Sequence, residues 1–171
     1  MIFDTKKMVA GVFALVISLG IAGIAFACPY TPSQIFGGSG GGVFSDDLTQ
    51  TSQLVGLNIW SGDYVDAIQA TWSKPGGGTI IGTKQGGGGG SLSIITFKTG
   101  EYITRVDGRS GDWTDQLKFT TNLGNVYGPY GGNGGGAYTL KNLQVGGFLG
   151  RSGQFLDAFG VFNSVVSNHK K

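Results

Sequence analysis

Ser61-Gly62-Asp63-Tyr64-Val65-Asp66, Ser110-Gly111-Asp112-Trp113-Thr114-Asp115 and Ser152-Gly153-Gln154-Phe155-Leu156-Asp157 are three copies of one pattern, Ser-Gly-x-aromatic-x-Asp. Their glycines lie 49 and then 42 residues apart. Glycine clusters recur in the same phase, at residues 37–42 (broken by Ser39), 86–90 and 131–136 (broken by Asn133), with starts 49 and 45 residues apart. A repeat of this period is the signature of one structural unit used several times. Each copy of the pattern leads into a short alternating or apolar run, at 67–70, 116–119 and 158–162. Further runs with the period of two that marks half-buried strands stand at 54–60, 92–97, 102–106 and 140–145, bounded by Gly, Asn, Asp and Ser. No stretch after residue 30 has a helical period of 3.6. The sequence therefore predicts an all-β domain, and many short strands in repeated units favour a closed or prism-like arrangement that limits exposed edges.

Composition narrows the function. Glycine supplies 34 of 171 residues with only 4 prolines, which fits neither collagen nor a polyproline linker. Aromatics at 12% imply a real core. A net charge of +2, with the basic residues scattered, argues against nucleic acid as partner. The chain has one cysteine, Cys28, and one histidine, His169 near the end. An internal disulfide, a His/Cys metal cluster and a Ser-His-Asp or Cys-His catalytic set are all left without residues.

Residues 1–27 read as an export signal: Lys6 and Lys7, an apolar run over 8–24, and the small-x-small site Ala25-Phe26-Ala27. Cleavage there predicts a secreted chain with an extension over 28–35, a domain over 36–166 and a basic tail over 167–171. The mature chain is not expected to insert in a membrane. Two alternatives stay open. The 17 apolar residues are near the minimum for a bilayer span, so the segment could be an uncleaved anchor. Cys28 could be a lipoprotein cysteine, although the usual leucine three positions before it is missing. No Asn-x-Ser/Thr acceptor occurs.

The repeated motif suits a polyhydroxyl ligand. A fixed carboxylate accepts two vicinal hydroxyls through charge-assisted hydrogen bonds, a task for Asp66, Asp115 and Asp157. Glycine, lacking Cβ, lets backbone N–H groups approach the ligand oxygens. Tyr64, Trp113 and Phe155 could lie against a sugar's C–H face or simply pack. The bland reading is that the glycines build corners and the aspartates cap turns. Asp63 with Asp66, and Asp112 with Asp115, could also be carboxylate pairs for glycoside hydrolysis. The third copy, however, has Gln154 in the first position, so no enzyme is expected.

At these residues the sequence resembles the jacalin-related lectins, over roughly residues 36–165. The resemblance is carried by Tyr64-Val65-Asp66-Ala67-Ile68, Gly100-Glu101-Tyr102-Ile103, Phe119-Thr120-Thr121-Asn122, Gly128-Pro129-Tyr130-Gly131 and Gly150-Arg151-Ser152-Gly153. It implies a β-prism I fold, three four-stranded Greek-key sheets about a pseudo-threefold axis. It also implies that each aspartate loop faces a glycine cluster: Asp66 with Gly90, Asp115 with Gly135, Asp157 with Gly41. Gly153-Gln154-Phe155, Asp63-Tyr64 and Asp112-Trp113 would then add backbone N–H groups and some side-chain contact, and the carboxylate would take O4 and O6 of mannose or glucose. Galactose-preferring members need a chain cut beside the first glycine cluster, and here residues 28–36 still precede it.

The expected partners are therefore mannose- or glucose-containing glycans, with no cofactor and no metal. A homodimer is admitted, because β-prisms pair in several ways. The Asp157 site ranks first, Asp66 second, and Asp115, beside polar Thr114, last. The alternative is a secreted β-prism used as a protein-interaction or surface-packing module with vestigial sugar sites.

Overall fold

The computed structural model describes residues 30–164. Residues 1–27, expected to be an export signal, lie outside the described residues, as do Cys28, His169 and residues 167–171. The chain opens with β1 (Tyr30–Pro32), β2 (Phe36–Gly37) and β3 (Gly42–Ser45). Next come β4 (Leu54–Ser61), β5 (Val65–Ser73), β6 (Thr79–Ile81), β7 (Gln85–Gly86) and β8 (Ser91–Thr96). Then follow β9 (Ile103–Ser110), β10 (Thr114–Thr121), β11 (Val126–Gly131) and β12 (Gly136–Leu140), and finally β13 (Val145–Ser152) and β14 (Leu156–Ser164).

These strands form three antiparallel sheets. In the sheet ordered β11-β10-β9-β12, three strands meander and the fourth returns beside the first, which is a Greek key. The sheet β6-β5-β4-β8 repeats it, with β7 also on β5. The third sheet, β1-β14-β13-β3 with β2 also on β14, takes its central pair from one end of the described chain and its outer strands from the other. The expected three-sheet prism is thus present. Two sheets count five strands because their outer edge is split. At each split a side chain supplies a bond: Val161 N–H donates to Ser33 Oγ (3.0 Å), and the Gln69 amide donates to Gly82 O (2.9 Å). The corresponding edge β11 stays continuous and shifts register between Leu117 and Phe119 instead.

One strand expectation fails. Residues 140–145 alternate, but β12 ends at Leu140 and β13 begins at Val145, with Asn142 turning the chain at φ 57°. The alternation there reflects burial across a turn: Leu143 joins the core cluster from between the two strands, and Val145 joins it as the first residue of β13.

The inward faces of the sheets meet on the prism axis. Leu57, Ile59, Ile68, Leu117, Phe119, Phe148 and Phe159 are each under 2% exposed. Phe159 packs against Phe148 and Phe119, with centroids 5.5 and 6.4 Å away. Below β9 sits a buried carboxylate, Glu101. Its Oε1 accepts from Thr121 Oγ1 (2.8 Å), Asn125 Nδ2 (2.7 Å) and Tyr127 Oη (3.3 Å), and its Oε2 from Lys98 N (2.9 Å). Burial raises its pKa, but these four bonds outweigh it and hold the carboxyl below its ordinary range. This network ties the turns at the end of the prism away from the three repeated loops.

Candidate functional site

The three Ser-Gly-x-aromatic-x-Asp segments are the β4–β5, β9–β10 and β13–β14 turns, so all three stand at one end of the prism. Each is closed in the same way. Gly62 N–H donates to Tyr64 O (3.0 Å), Gly111 N–H to Trp113 O (3.0 Å), and Gly153 N–H to Phe155 O (2.9 Å). The tight turn places the first x residue outward and the second x residue, just before the aspartate, inward. Asp63, Asp112 and Gln154 are accordingly exposed, while Val65, Thr114 and Leu156 are wholly buried. The aromatic residues turn toward the axis and meet there. Tyr64 lies 5.0 Å from Trp113 and 5.6 Å from Phe155, and Trp113 lies 5.6 Å from Phe155. Of the two roles open to these rings, packing against one another is present.

The aspartates are equally regular. Asp66, Asp115 and Asp157 are each 6% exposed. Their main-chain carbonyls accept from the second glycine of a cluster: Gly87 N to Asp66 O (3.0 Å), Gly132 N to Asp115 O (2.9 Å), Gly38 N to Asp157 O (2.9 Å). The end of each cluster closes over the carboxylate. A Cβ on Gly90, Gly135 or Gly41 would stand 2.5 Å from Oδ2 of Asp66, Asp115 or Asp157 respectively. A Cβ on Gly89, Gly134 or Gly40 would press into Oδ1 of the same three aspartates. Gly41, Gly90 and Gly135 also hold φ of 60°, 70° and 58°, where a side chain is strained. Glycine is required here by both contact and backbone angle. The structure therefore brings together Asp66 with Gly90, Asp115 with Gly135, and Asp157 with Gly41.

Oδ2 of Asp115 and Oδ2 of Asp157 are buried without a hydrogen-bond partner. A buried carboxylate oxygen left unpaired is uncommon and calls for a donor. No group of three His, Cys, Asp or Glu side chains gathers among the described residues.

Two residues outside the repeated motif belong to these sites. Arg151 donates through Nε to Gly40 O and through Nη2 to Gly41 O, each at 2.7 Å. Arg109 does the same to Gly134 O and Gly135 O, also at 2.7 Å. Neither was given a role from the sequence, although Arg151 stands in one of the segments that carry the resemblance. The available signal was that each stands immediately before the Ser-Gly of its copy, whereas the first copy has Trp60 there. Trp60 contacts the other side of its own loop: Lys84 Nζ sits 3.9 Å from the indole centroid.

The loops also interlock. A Cβ on Gly38 would strike Asp112 O, one on Gly87 would strike Gln154 O, and one on Gly132 would come 2.6 Å from Asp63 O. Gly132 N–H is in fact shared between Asp115 O and Asp63 O (3.0 Å). Each cluster thus serves one aspartate and abuts the loop of a neighbouring copy. In this way Asp63, Asp112 and Gln154 act through their carbonyls as spacers.

Residues 33–162 match the family model of the Jacalin-like lectin domain. Griffithsin from Griffithsia sp. is 41% identical over 128 residues, covering 74% of this chain and 92% of griffithsin. Among solved structures, Malaysian banana lectin superposes with a TM-score of 0.71 at 31% identity, over 79% of this chain and 98% of that one. A mannose-binding jacalin-related lectin from Ananas comosus gives 0.71 at 28% identity, over 78% and 96%.

Proposed function

Since the chain belongs to the jacalin-like lectin family and is a carbohydrate-binding lectin, we propose that it takes mannose- or glucose-type sugars at three loops, Gly62–Asp66, Gly111–Asp115 and Gly153–Asp157. The single observation that carries this reading is the threefold recurrence, at one end of the prism, of a nearly buried carboxylate held against a glycine cluster: Asp66, Asp115 and Asp157. In each site the carboxylate accepts two neighbouring hydroxyls, and the loop and cluster N–H groups donate to them. Asp66 with Gly90, Asp115 with Gly135 and Asp157 with Gly41 form the three units. The preference for mannose or glucose over galactose is supported by residues 28–36, which would still precede the first glycine cluster after cleavage at Ala27, and by the mannose-binding relative from Ananas comosus.

Single sugar sites of this shallow kind are weak. Three on one end of a small domain gain avidity on clustered glycans whose spacing matches them. Export through residues 1–27 is part of the same proposal, since glycans of this type are met outside the cell; mass measurement of the purified chain would reveal cleavage after Ala27.

The test is a glycan array with the native chain and with Asp66→Asn, Asp115→Asn and Asp157→Asn, singly and together. Each single change is expected to reduce binding to high-mannose surfaces, and the triple change to abolish it with the thermal melt retained. Full binding by a folded triple variant would rule out this mechanism.

A further inference from the structure

The three sites are built on one plan, so each serves as an internal control for the others, and they differ first in how the glycine cluster is held. Arg109 and Arg151 each place two charge-assisted hydrogen bonds on the carbonyls of the last two glycines that roof an aspartate. The ladder fixes the equivalence. Arg151 stands opposite Ala158 and Val43, Arg109 opposite Gln116 and Ala137, and Trp60 opposite Ala67 and Leu92. Trp60 has no donor that could replace the guanidinium fork. Its indole is turned to Lys84, at the start of the loop and not its tip.

Two further differences act in the same direction. The second cluster, residues 86–90, is unbroken glycine, and a Cβ on Gly88 would meet nothing within 4 Å. The third cluster is held again at its middle, where Gln116 Nε2 donates to Gly132 O (2.8 Å) and Asn133 Oδ1 (3.2 Å).

We infer that Arg109 and Arg151 are positioning residues that keep the glycine roofs over Asp115 and Asp157 in their ligand-ready shape, and that Trp60 makes the Asp66 site the weakest of the three. This rests on the reading that the three loops bind sugar. The physical reason is preorganisation. Glycine loses more backbone freedom on ordering than any other residue. An unclamped run of five populates its ligand-ready shape for only a fraction of the time, and apparent affinity falls by that fraction. The order of sites becomes Asp115 and Asp157 together, then Asp66, which reverses the sequence-based ranking of Asp66 over Asp115.

The experiment is a titration of the native chain with methyl-α-mannoside, followed by amide NMR shifts in each loop separately. Shifts at Gly62–Asp66 are expected to reach their midpoint at about tenfold higher sugar than at the other two loops. Trp60→Arg is expected to bring that midpoint to within about threefold of the others. Arg151→Trp, and more mildly Arg151→Lys, should weaken the Asp157 loop alone. A fork that only supported the fold would not give this loop-by-loop pattern, nor a gain from Trp60→Arg. Without sugar, 15N relaxation should give lower order parameters at residues 87–90 than at 38–41 and 132–135, with Arg151→Trp lowering those at 38–41. Equal midpoints at all three loops, or no response to Trp60→Arg, would overturn the clamp and leave the sugar reading standing. Shifts at none of the loops would overturn both.

Discussion

Asp46 follows β3, and its Oδ2 accepts the main-chain N–H of Phe148 at 2.8 Å, tying the N-terminal edge strand to β13. Burial raises its pKa from the ordinary 3.8 to about 6, against the opposing pull of that hydrogen bond. A carboxyl with a raised folded pKa binds its proton more tightly in the folded state. Its contribution to stability is greatest below pH 3.8 and declines as pH rises through about 6, after which it is flat. A shift of this size corresponds to about 3 kcal/mol at neutral pH. Asp46→Asn cannot ionise and still presents an oxygen to Phe148 N–H. The variant is therefore expected to match the native chain near pH 4 and to exceed its stability by about 2–3 kcal/mol at pH 7, less whatever the charge adds to the hydrogen bond. For a domain of this size that is roughly 6–9 °C in Tm. Urea melts of both chains from pH 4 to 8 would measure the difference, with coincident fluorescence and circular dichroism transitions to establish two-state unfolding. An Asn variant less stable than the native chain at pH 7, or a difference independent of pH, would refute the assignment of a burial penalty to Asp46.

Four other outcomes follow from the same coordinates. Thr114 is wholly buried with an unpartnered Oγ1, where the other copies have Val65 and Leu156; Thr114→Val is expected to raise stability by about 1–2 kcal/mol in urea, and a loss would mean that the hydroxyl has a hidden role. Gly41→Ala should cost more than the ~1–2 kcal/mol of an ordinary left-handed alanine and abolish sugar-induced shifts at Gly153–Asp157, because its Cβ would press into the Ser152 backbone and stand 2.5 Å from Asp157 Oδ2. Glu101→Gln should destabilise by about 2–4 kcal/mol, since an amide would face four converging donors. Glu101's lowered pKa also means that its contribution is complete above the ordinary 4.5 and is lost as pH falls through the folded value, so the variant's deficit should shrink in acid melts. Glycan binding should be unchanged after dialysis against EDTA, because each loop offers one buried aspartate rather than the several oxygen ligands that calcium collects; loss of binding that calcium restores would contradict the carboxylate–hydroxyl scheme.

The repeated motif made the fold class legible because its information is local. A Gly two residues before an aromatic and four before an Asp sets a tight turn, and the alternating run after it sets a strand. Residues 67–70 and 116–119 became β5 and β10 for that reason. Residues 140–145 alternated for a different reason, a turn that carries Leu143 into the core between two strands, and period alone cannot separate the two. The split edges β1/β2 and β6/β7 were likewise invisible, because they depend on Ser33 accepting from Val161 on β14 and on Gln69 of β5 donating to Gly82 in the β6–β7 connection.

The candidate site divides along the same line. The sequence by itself determined which residues recur, Asp66, Asp115 and Asp157 with their glycine clusters, because a threefold repeat is written along the chain. The choice of cluster for each aspartate, by contrast, came from family resemblance, and the sheets give it a physical reason. In every sheet the strand that carries the aspartate and the strand that follows its glycine cluster flank one central strand: β5 and β8 on β4, β10 and β12 on β9, β14 and β3 on β13. Only the tertiary structure decided that the three aromatics face one another, that Arg109 and Arg151 grip the glycine carbonyls, and that Trp60 does not. Those are contacts between residues up to 111 positions apart in the chain. The aromatic cluster arises where the three sheets meet and the arginine contacts where strands pair within one sheet, and the spacing within a single copy encodes neither.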